Sequence, residues 1–453
     1  MMKEQEQHAV TAGEKGWKLS RYNIAARHPE GNGYIVMNLF QGSFAILSAM
    51  EAYLLNMAPD QDADLSVIEK FKKFGFIVNF DEKAMIDSLG RSVCSGSKAV
   101  NLTLCPTLGC NFDCSYCFET HRPGRMSQKV QDDVITLAEK MMKRIDAREL
   151  AVTWFGGEPL LAPDIIESLS ERLMKLAQER NANYRASIIT NGYLLTEENI
   201  ALLERCKVDS CQVTIDGLEK THDATRPLAG GGATFDRIIS NLRDNQIPFL
   251  VRIRHNTHRD NIEEVEPLRN LIKELKQKSG NDIVYYPAWV TGSDVADERG
   301  RQVDLLKQDD LRQVGIMRWM RPMAGARGHF CGSNLLSSVS IDDLGNLYKC
   351  WNRVHEPKDS YGNAATWDPE KPLHSAEHPD MLTGFLNTAC PLSDPECEDC
   401  VWLPLCSGGC PAERLAGKRN CLPFKDDPEA FAQAFYKYNK AVKQETETDQ
   451  GKG

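Results

Sequence analysis

The run Cys110-Asn111-Phe112-Asp113-Cys114-Ser115-Tyr116-Cys117 puts three thiols on one short stretch of chain. A cubane iron–sulfur cluster has four irons, each ordinarily held by one cysteine thiolate, so three thiolates leave one iron without a protein ligand. Such an iron is open to a chelating molecule. The other readings of this CxxxCxxC spacing are a zinc knuckle and a redox pair, since cysteine groups in unexported chains also hold zinc.

A second group lies far downstream. Thirteen residues separate Cys331 from Gly345, four separate Gly345 from Cys350, and Cys397, Cys400, Cys406 and Cys410 run as CxxCx5CxxxC before Cys421. Fifteen cysteines would indicate disulfides in an exported protein, but the start, Met1 to Gln7, is polar and lacks the apolar core of a secretory signal. Metal ligation is the better reading, with a paired zinc site as the alternative for the downstream seven. Cys94, Cys105, Cys206, Cys211 and Cys390 are left over, mostly in apolar surroundings, where a small core residue is expected.

The elements that must position these groups follow from patterning. At 453 residues the chain is long enough for several domains. Residues 98–290 alternate strand and helix, with strands expected at Val100–Leu104, Ala151–Phe155, Tyr184–Ile189, Ser210–Ile215, Phe249–Ile253 and Ile283–Tyr286. That order implies an α/β domain with a parallel sheet, open or curled into a partial barrel, whose chemistry sits at the C-terminal strand ends. The thiol triplet follows the first strand, Gly156-Gly157-Glu158-Pro159 the second, Thr190-Asn191-Gly192 the third, and Asp216-Gly217 the fourth, just after Thr214. Their hydroxyl, amide and carboxylate groups can line one pocket, although Asp216-Gly217 is also an ordinary turn signal.

Residues 1–97 form a separate unit. Trp17–Ile24 and Tyr34–Leu39, split by Glu30-Gly31-Asn32-Gly33, predict a hairpin; helical periodicity follows in Phe44–Leu55 and Leu65–Phe74, then a short strand at Gly75–Val78. Residues 291–325 are a charged bridge, 326–425 the cysteine-rich domain, and 426–453 a C-terminal helix and polar tail, with Gln444–Gly453 expected to be disordered. A net charge of −10 argues against a nucleic-acid partner, and no apolar run is long enough to span a membrane. The expectation is a soluble cytoplasmic protein.

The triplet resembles the signature of radical S-adenosylmethionine (SAM) enzymes. In that family the open iron chelates the amino and carboxylate groups of SAM, and reductive cleavage yields a 5′-deoxyadenosyl radical. Gly156, Gly157, Glu158 and Pro159 resemble the GGEP motif that contacts the SAM amino group. Tyr116 takes the aromatic place near the adenine, where packing of the loop is the plain alternative, and Phe118 is counted with it as a cofactor contact. Thr190, Asn191, Thr214 and Asp216 become ribose and methionine-carboxylate contacts by the same resemblance. Arg226 is a candidate for the SAM carboxylate or a solvated arginine.

The downstream spacing resembles the seven-cysteine SPASM domain of radical SAM peptide modifiers. By that resemblance Cys397, Cys400, Cys406 and Cys421 complete one auxiliary cluster, while Cys331, Cys350 and Cys410 hold another. The latter keeps an open iron, binds a substrate thiolate, or takes Cys390 or another group as fourth ligand. The family implies three 4Fe–4S clusters, one binding SAM, on a partial (β/α)6 barrel with an N-terminal winged-helix-like peptide-recognition unit; a simple N-terminal cap is the alternative for the last. Its implied partners are a precursor peptide with a leader and an electron donor such as flavodoxin or ferredoxin.

The expected activity is that of a maturase forming a thioether between a cysteine sulfur and a carbon of a ribosomally made peptide. Alternatives are an anaerobic sulfatase-maturating (formylglycine-forming) enzyme, a carbon–carbon cross-linking or epimerising maturase, and a non-catalytic metal-binding peptide scaffold. Sulfatase maturases place the triplet near the N-terminus and an aspartate base after the cysteine equivalent to Cys350, where this chain has Trp351. No residue is singled out as a catalytic acid or base.

Overall fold

The computed structural model describes residues 16–57, 65–258, 260–289, 331–389, 391–419, 421–422 and 424–450. The expected bridge over 291–325 and the leftover Cys390 lie outside them.

Six parallel strands carry the core: β6 (Ala99–Leu104), β7 (Glu149–Trp154), β8 (Asn183–Thr190), β9 (Val208–Thr214), β10 (Leu250–Thr257) and β11 (Ile283–Trp289), each hydrogen-bonded to the next. Along β6 and β7 every second residue is buried. Val100, Leu102 and Leu104 pack with Leu150, Val152 and Trp154 under the helices α4 (Gln128–Ile145) and α5 (Pro163–Glu179). The other face presents Asn101, Thr103, Thr153 and Ser187, with Thr153 and Ser187 hydroxyls 3.1 Å apart. A parallel sheet covered by helices on both faces would read as a continuous apolar run; alternation here reflects one apolar face and one polar lining. All six expected strands are present, with ends shifted by a few residues; β10 runs on to Thr257 because its end pairs with Pro287–Trp289 of β11.

The sheet continues beyond β6. β12 (Ser338–Ile341) lies parallel to it in register Ser338↔Asn101 to Ile341↔Leu104, and β13 (Asn346–Tyr348) and β14 (Gly362–Asn363) add antiparallel edges, making nine strands in all. The cysteine-rich segment is thereby stitched into the same sheet as the strand-end motifs. Gly345 makes the β12–β13 turn with φ of +84°, a conformation in which a side chain is strained.

At the N-terminus β2 (Asn23–Arg27), β3 (Tyr34–Asn38) and β4 (Ser43–Leu47) form a three-stranded antiparallel sheet, and β1 (Lys18–Leu19) pairs with β5 (Ile77–Val78). The hairpin around Glu30–Gly33 is β2–β3, but its first arm is Asn23–Arg27 rather than Trp17–Ile24: Lys18–Leu19 pairs instead with Ile77–Val78. The helix expected from Phe44 instead begins at α1 (Ala49–Asn56), because Ser43–Leu47 pairs with Tyr34–Asn38 and Ser48 forms a capping box with Glu51. Helices α2 (Leu65–Lys73) and α3 (Glu82–Gly96) follow, the latter capped by Asp81. One face of this sheet packs on α1 and α2 through Val36, Ala45, Leu47 and Phe71. The other shares a core with Trp402, Phe424 and the C-terminal helix Pro428–Gln450 through Ile24, Ile35 and Phe431. That helix takes in Gln444–Gln450, a stretch expected to be disordered; no glycine or proline after Pro428 interrupts the helical backbone.

Candidate functional site

The thiol triplet is carried on the segment that leaves β6. Thr107 Oγ1 donates to Gly124 O (2.6 Å) and accepts from Gly109 N (3.0 Å), folding the start of the loop back on its end. The far side is strapped by backbone bonds from Asp113 N to Pro227 O (2.9 Å), Ser115 N to Thr225 O (3.1 Å) and Ala229 N to Asn111 O (2.8 Å). Arg122 ties the whole segment to the β12–β13 turn through Asp343 (2.5 and 3.1 Å) and Asp342 (3.3 Å).

Gly156 and Gly157 let the β7 end close on this loop. A Cβ on Gly156, whose φ is +113°, would lie 2.3 Å from Thr107 O, and one on Gly157 would lie 2.3 Å from Gly109 O. The space that the missing side chains leave is filled by the cysteine loop itself. Glu158 N then donates to Gly109 O (2.9 Å), and Pro159 opens a short helical turn.

The Glu158 carboxylate is fully buried and ties two strand ends together. It accepts from Leu160 N (3.0 Å), Thr190 Oγ1 (2.8 Å) and Asn191 N (2.8 Å). Burial raises its pKa against those three bonds. Asn191 reaches Asn111 inside the triplet (2.8 Å). Thr190 and Asn191 are thus brought together with the triplet as expected, the former through its bond to Glu158.

Tyr116, Asp216 and Arg226 also meet. The Tyr116 hydroxyl donates to Asp216 and accepts from Arg226 (2.6 Å) and Asn256 (3.0 Å). Arg226 lies 3.8 Å from Asp216 Oδ2, and its guanidinium stands 5.7 Å from the Phe112 ring centroid. Burial pushes Asp216 up while Arg226 pulls it down; burial opposes the charge of Arg226, but Tyr116 and Asp216 outweigh it and raise its pKa. Arg226 is buried, which removes the solvated reading. Thr214 is buried at the end of β9, beside this network. Asp216 Oδ1, Arg226 Nε and Glu119 Oε1 have no hydrogen-bond partner among the described residues. Phe118 stands apart from this network, half-exposed and facing His355 with ring centroids 5.8 Å apart.

Burial pushes the Cys110 thiol up to about 12, with Glu158, Cys114 and Cys117 adding and the Phe112 amide (3.4 Å) opposing. The downstream thiols fall into two neighbourhoods. Cys350 is pushed up to about 11 by burial, with Cys331 and Cys410 adding to the effect. Cys406 is likewise pushed up to about 11, with Cys421, Cys397 and Cys400 adding. The last four line one cavity of about 30 Å³ with Trp402 and Arg414. No three His, Cys, Asp or Glu side chains among the described residues gather tightly enough to ligate a single metal ion. Cys105, Cys206 and Cys211 are buried core residues.

Residues 104–272, from the end of β6 into the helix Val265–Ser279, match the model of the Radical SAM superfamily. They form a radical SAM domain. The α/β core with its largely parallel sheet is the radical SAM fold, and a structure of native anSMEcpe with bound AdoMet and Cp18Cys peptide superimposes with a TM-score of 0.55 at 20% identity, covering 76% of this chain and 99% of that one.

Among curated proteins, an AdoMet-dependent heme synthase of Methanosarcina barkeri is 30% identical over 176 residues, 37% of this chain and 46% of that protein. The PqqA peptide cyclase of Gluconobacter oxydans is 26% identical over 168 residues, 37% of this chain and 44% of the cyclase. In both cases the match spans less than half of the relative. A cysteine-type anaerobic sulfatase-maturating enzyme of Clostridium novyi is 24% identical over 357 residues, 69% of this chain and 88% of that enzyme.

The radical SAM family implies a 4Fe–4S cluster and SAM, and the residues present fit them. Three neighbouring thiols raised by burial need a cation to deprotonate. The orphaned Asp216 and Arg226 atoms suit a ligand carrying both charges. Asn111, Asn256 and the Arg122–Asp343 tie escaped sequence reasoning. Asn111 sat in view within the triplet, whereas Asn256 and Asp343 join it only through strand ends far along the chain.

Proposed function

We propose that this chain is a radical SAM maturase that installs a thioether, from a cysteine sulfur to a carbon of another residue, in a ribosomally made precursor peptide. The observation that carries this reading is the packing of the triplet and GGEP turn against the Cys350 neighbourhood. Trp351 stacks on Phe155 with centroids 5.6 Å apart, and Phe118 faces His355, so each side contributes a residue adjacent to a cysteine or to the GGEP turn. When bound, a 4Fe–4S cluster and SAM supply hydrogen-atom abstraction from carbon, and two auxiliary 4Fe–4S clusters supply electron acceptance.

Cys110, Cys114 and Cys117 would hold the first cluster. Cys397, Cys400, Cys406 and Cys421 would fill the second, and Cys331, Cys350 and Cys410 the third, with its remaining place left for Cys390 or a substrate thiolate. Gly156, Gly157, Glu158 and Pro159 hold the triplet loop in position, and Thr190, Asn191, Thr214, Asp216, Tyr116 and Arg226 orient SAM. The N-terminal sheet would take the leader at its β4 edge as an added strand. Flavodoxin or ferredoxin would deliver the electron. Each link removes two hydrogens from the peptide, one as an atom to carbon-centred deoxyadenosyl and one as the thiol proton, with one electron passed on.

A second reading, formylglycine formation, is favoured by the long alignment to the sulfatase-maturating enzyme. Trp351 counts against it, since an indole cannot serve as the carboxylate base. The test is anaerobic reconstitution with iron and sulfide, then SAM, dithionite and a cysteine-containing precursor peptide. Loss of two hydrogens with sulfur retained and the thiol no longer alkylatable supports thioether formation. Loss of sulfur with an aldehyde supports the second reading, an alkylatable thiol supports carbon–carbon linkage, and absence of deoxyadenosine leaves only a scaffold.

A further inference from the structure

His121 lies four residues beyond the last thiol of the triplet, half-buried, and its Nε2 stands 3.4 Å from Cys117 Sγ. The loop holds both partners of this contact. Cys117 N bonds to Cys114 O (3.0 Å), closing a turn beneath the sulfur, while Arg122, the residue after His121, is clamped to Asp343 (2.5 and 3.1 Å). Just beyond, Gly124 O accepts from Thr107 Oγ1 (2.6 Å), which fixes the return of the loop. At Cys110 the sulfur receives the Phe112 amide (3.4 Å), a donor that any residue except proline would offer there. The donor at Cys117 is a side chain, so it belongs to this sequence and can be removed without touching the backbone. A thiolate bound to iron carries no proton and only accepts, so the imidazole nitrogen that faces it is the one that carries hydrogen.

We infer that His121 is a positioning residue whose Nε2–H donates a hydrogen bond to the Cys117 thiolate and thereby raises the reduction potential of the iron–sulfur group held by Cys110, Cys114 and Cys117. The inference rests on the reading of the triplet as the SAM-binding 4Fe–4S site. Reduction adds an electron to a group that shares its charge with its thiolate sulfurs, and a donor at one of those sulfurs stabilises the more negative state. Removing the donor therefore lowers the potential. Because Arg122 is fastened to the β12–β13 turn, the downstream cysteine-rich segment helps to hold this donor in place.

The experiment uses reconstituted full-length protein whose histidines carry the heavy nitrogen isotope, beside His121→Phe, which removes the donor, and His121→Gln, which keeps an N–H. The signal read is the reduced-cluster resonance that changes when SAM is added. Wild-type protein is expected to show a histidine nitrogen coupling and an exchangeable proton coupling on that signal. His121→Phe should keep the same iron and sulfide content, lose both couplings and titrate at a lower midpoint potential, while His121→Gln loses the nitrogen coupling and titrates nearer to wild type. Absence of the histidine coupling in wild-type protein, or an unchanged potential in His121→Phe, overturns the inference. Should His121→Phe fail to take up triplet iron, His121→Ala is read in its place with the same criteria. If no reduced signal of wild-type protein responds to SAM, the reading of the triplet itself fails and takes the inference with it.

Discussion

Replacing Gly157 by alanine puts one methyl group against backbone that has no room to yield. The added Cβ would lie 2.3 Å from Gly109 O, 2.6 Å from Gly109 C and 2.7 Å from Leu108 O, whereas ordinary contact begins at 3.4 Å. The loop must therefore retreat by about 1 Å, the difference between 3.4 and 2.3 Å. The retreat weakens the Glu158 N to Gly109 O bond (2.9 Å) and displaces Cys110, the next residue, relative to the buried Glu158. Overpacking of this kind costs about 1–3 kcal/mol of stability, and a misplacement of about 1 Å at a reacting centre costs roughly 100-fold in rate. The damage should be local. Reconstituted Gly157→Ala protein is expected to hold the triplet iron less completely than that of the downstream cysteines, and the protein that retains it to release deoxyadenosine about 100-fold more slowly. Iron content, spectral response to SAM and deoxyadenosine yield measure this. Full triplet iron with a wild-type rate would refute the view that these glycines exist to seat the cysteine loop.

Other perturbations follow from the same contacts. Glu158→Gln turns an acceptor of three bonds into a group with one acceptor oxygen, leaving a buried donor from Thr190 or Asn191 unpaired; thermal unfolding should show a loss of about 1–3 kcal/mol. Tyr116→Phe strands Arg226 and Asn256 without their shared acceptor, and equilibrium titration should give about tenfold weaker SAM binding, corresponding to about 1.4 kcal/mol. His222 is buried and accepts from Asp216 N (3.2 Å) on Nδ1; burial, then the charge of Arg226, lower its pKa to about 3. Because the unfolded chain binds the proton more readily, the stabilisation from His222 is complete above pH 6.5 and declines as pH falls toward 3. At pH 5 the loss is up to about 2 kcal/mol. Asp216 and Glu158, raised by burial, act in the opposite sense, so the comparison is made with His222→Asn. The melting-temperature difference between the two proteins should move in favour of the variant between pH 7.5 and pH 5, and a constant difference would exclude this role.

Periodicity was enough for the six parallel strands because each has one apolar face and is separated from the next by an amphipathic helix. It misled at Ser43–Leu47, where five residues fit either period; the capping pair Ser48 and Glu51 was present in the sequence and marked the true helix start. At the site, Cys110, Cys114, Cys117 and the GGEP turn were legible because their spacing is local. Local spacing did not reveal that the glycines accommodate the loop rather than a ligand, or that Glu158 fastens two strand ends.

The sequence by itself determined the kind of chemistry: three thiols on one loop, two glycines and a carboxylate at the next strand end, and a second reserve of cysteines downstream. Covalent spacing is enough for that, since residues a few positions apart cannot separate. Only the tertiary structure decided which distant groups meet. Pairing of Ser338–Ile341 with β6 brings the Cys350 segment against the end of β7, where Trp351 stacks on Phe155, and the N-terminal sheet packs on the segment around Cys397, Cys400 and Cys406 through Tyr22 and Arg21. Those meetings depend on sheet register and on burial of apolar faces hundreds of residues apart, which no local pattern encodes.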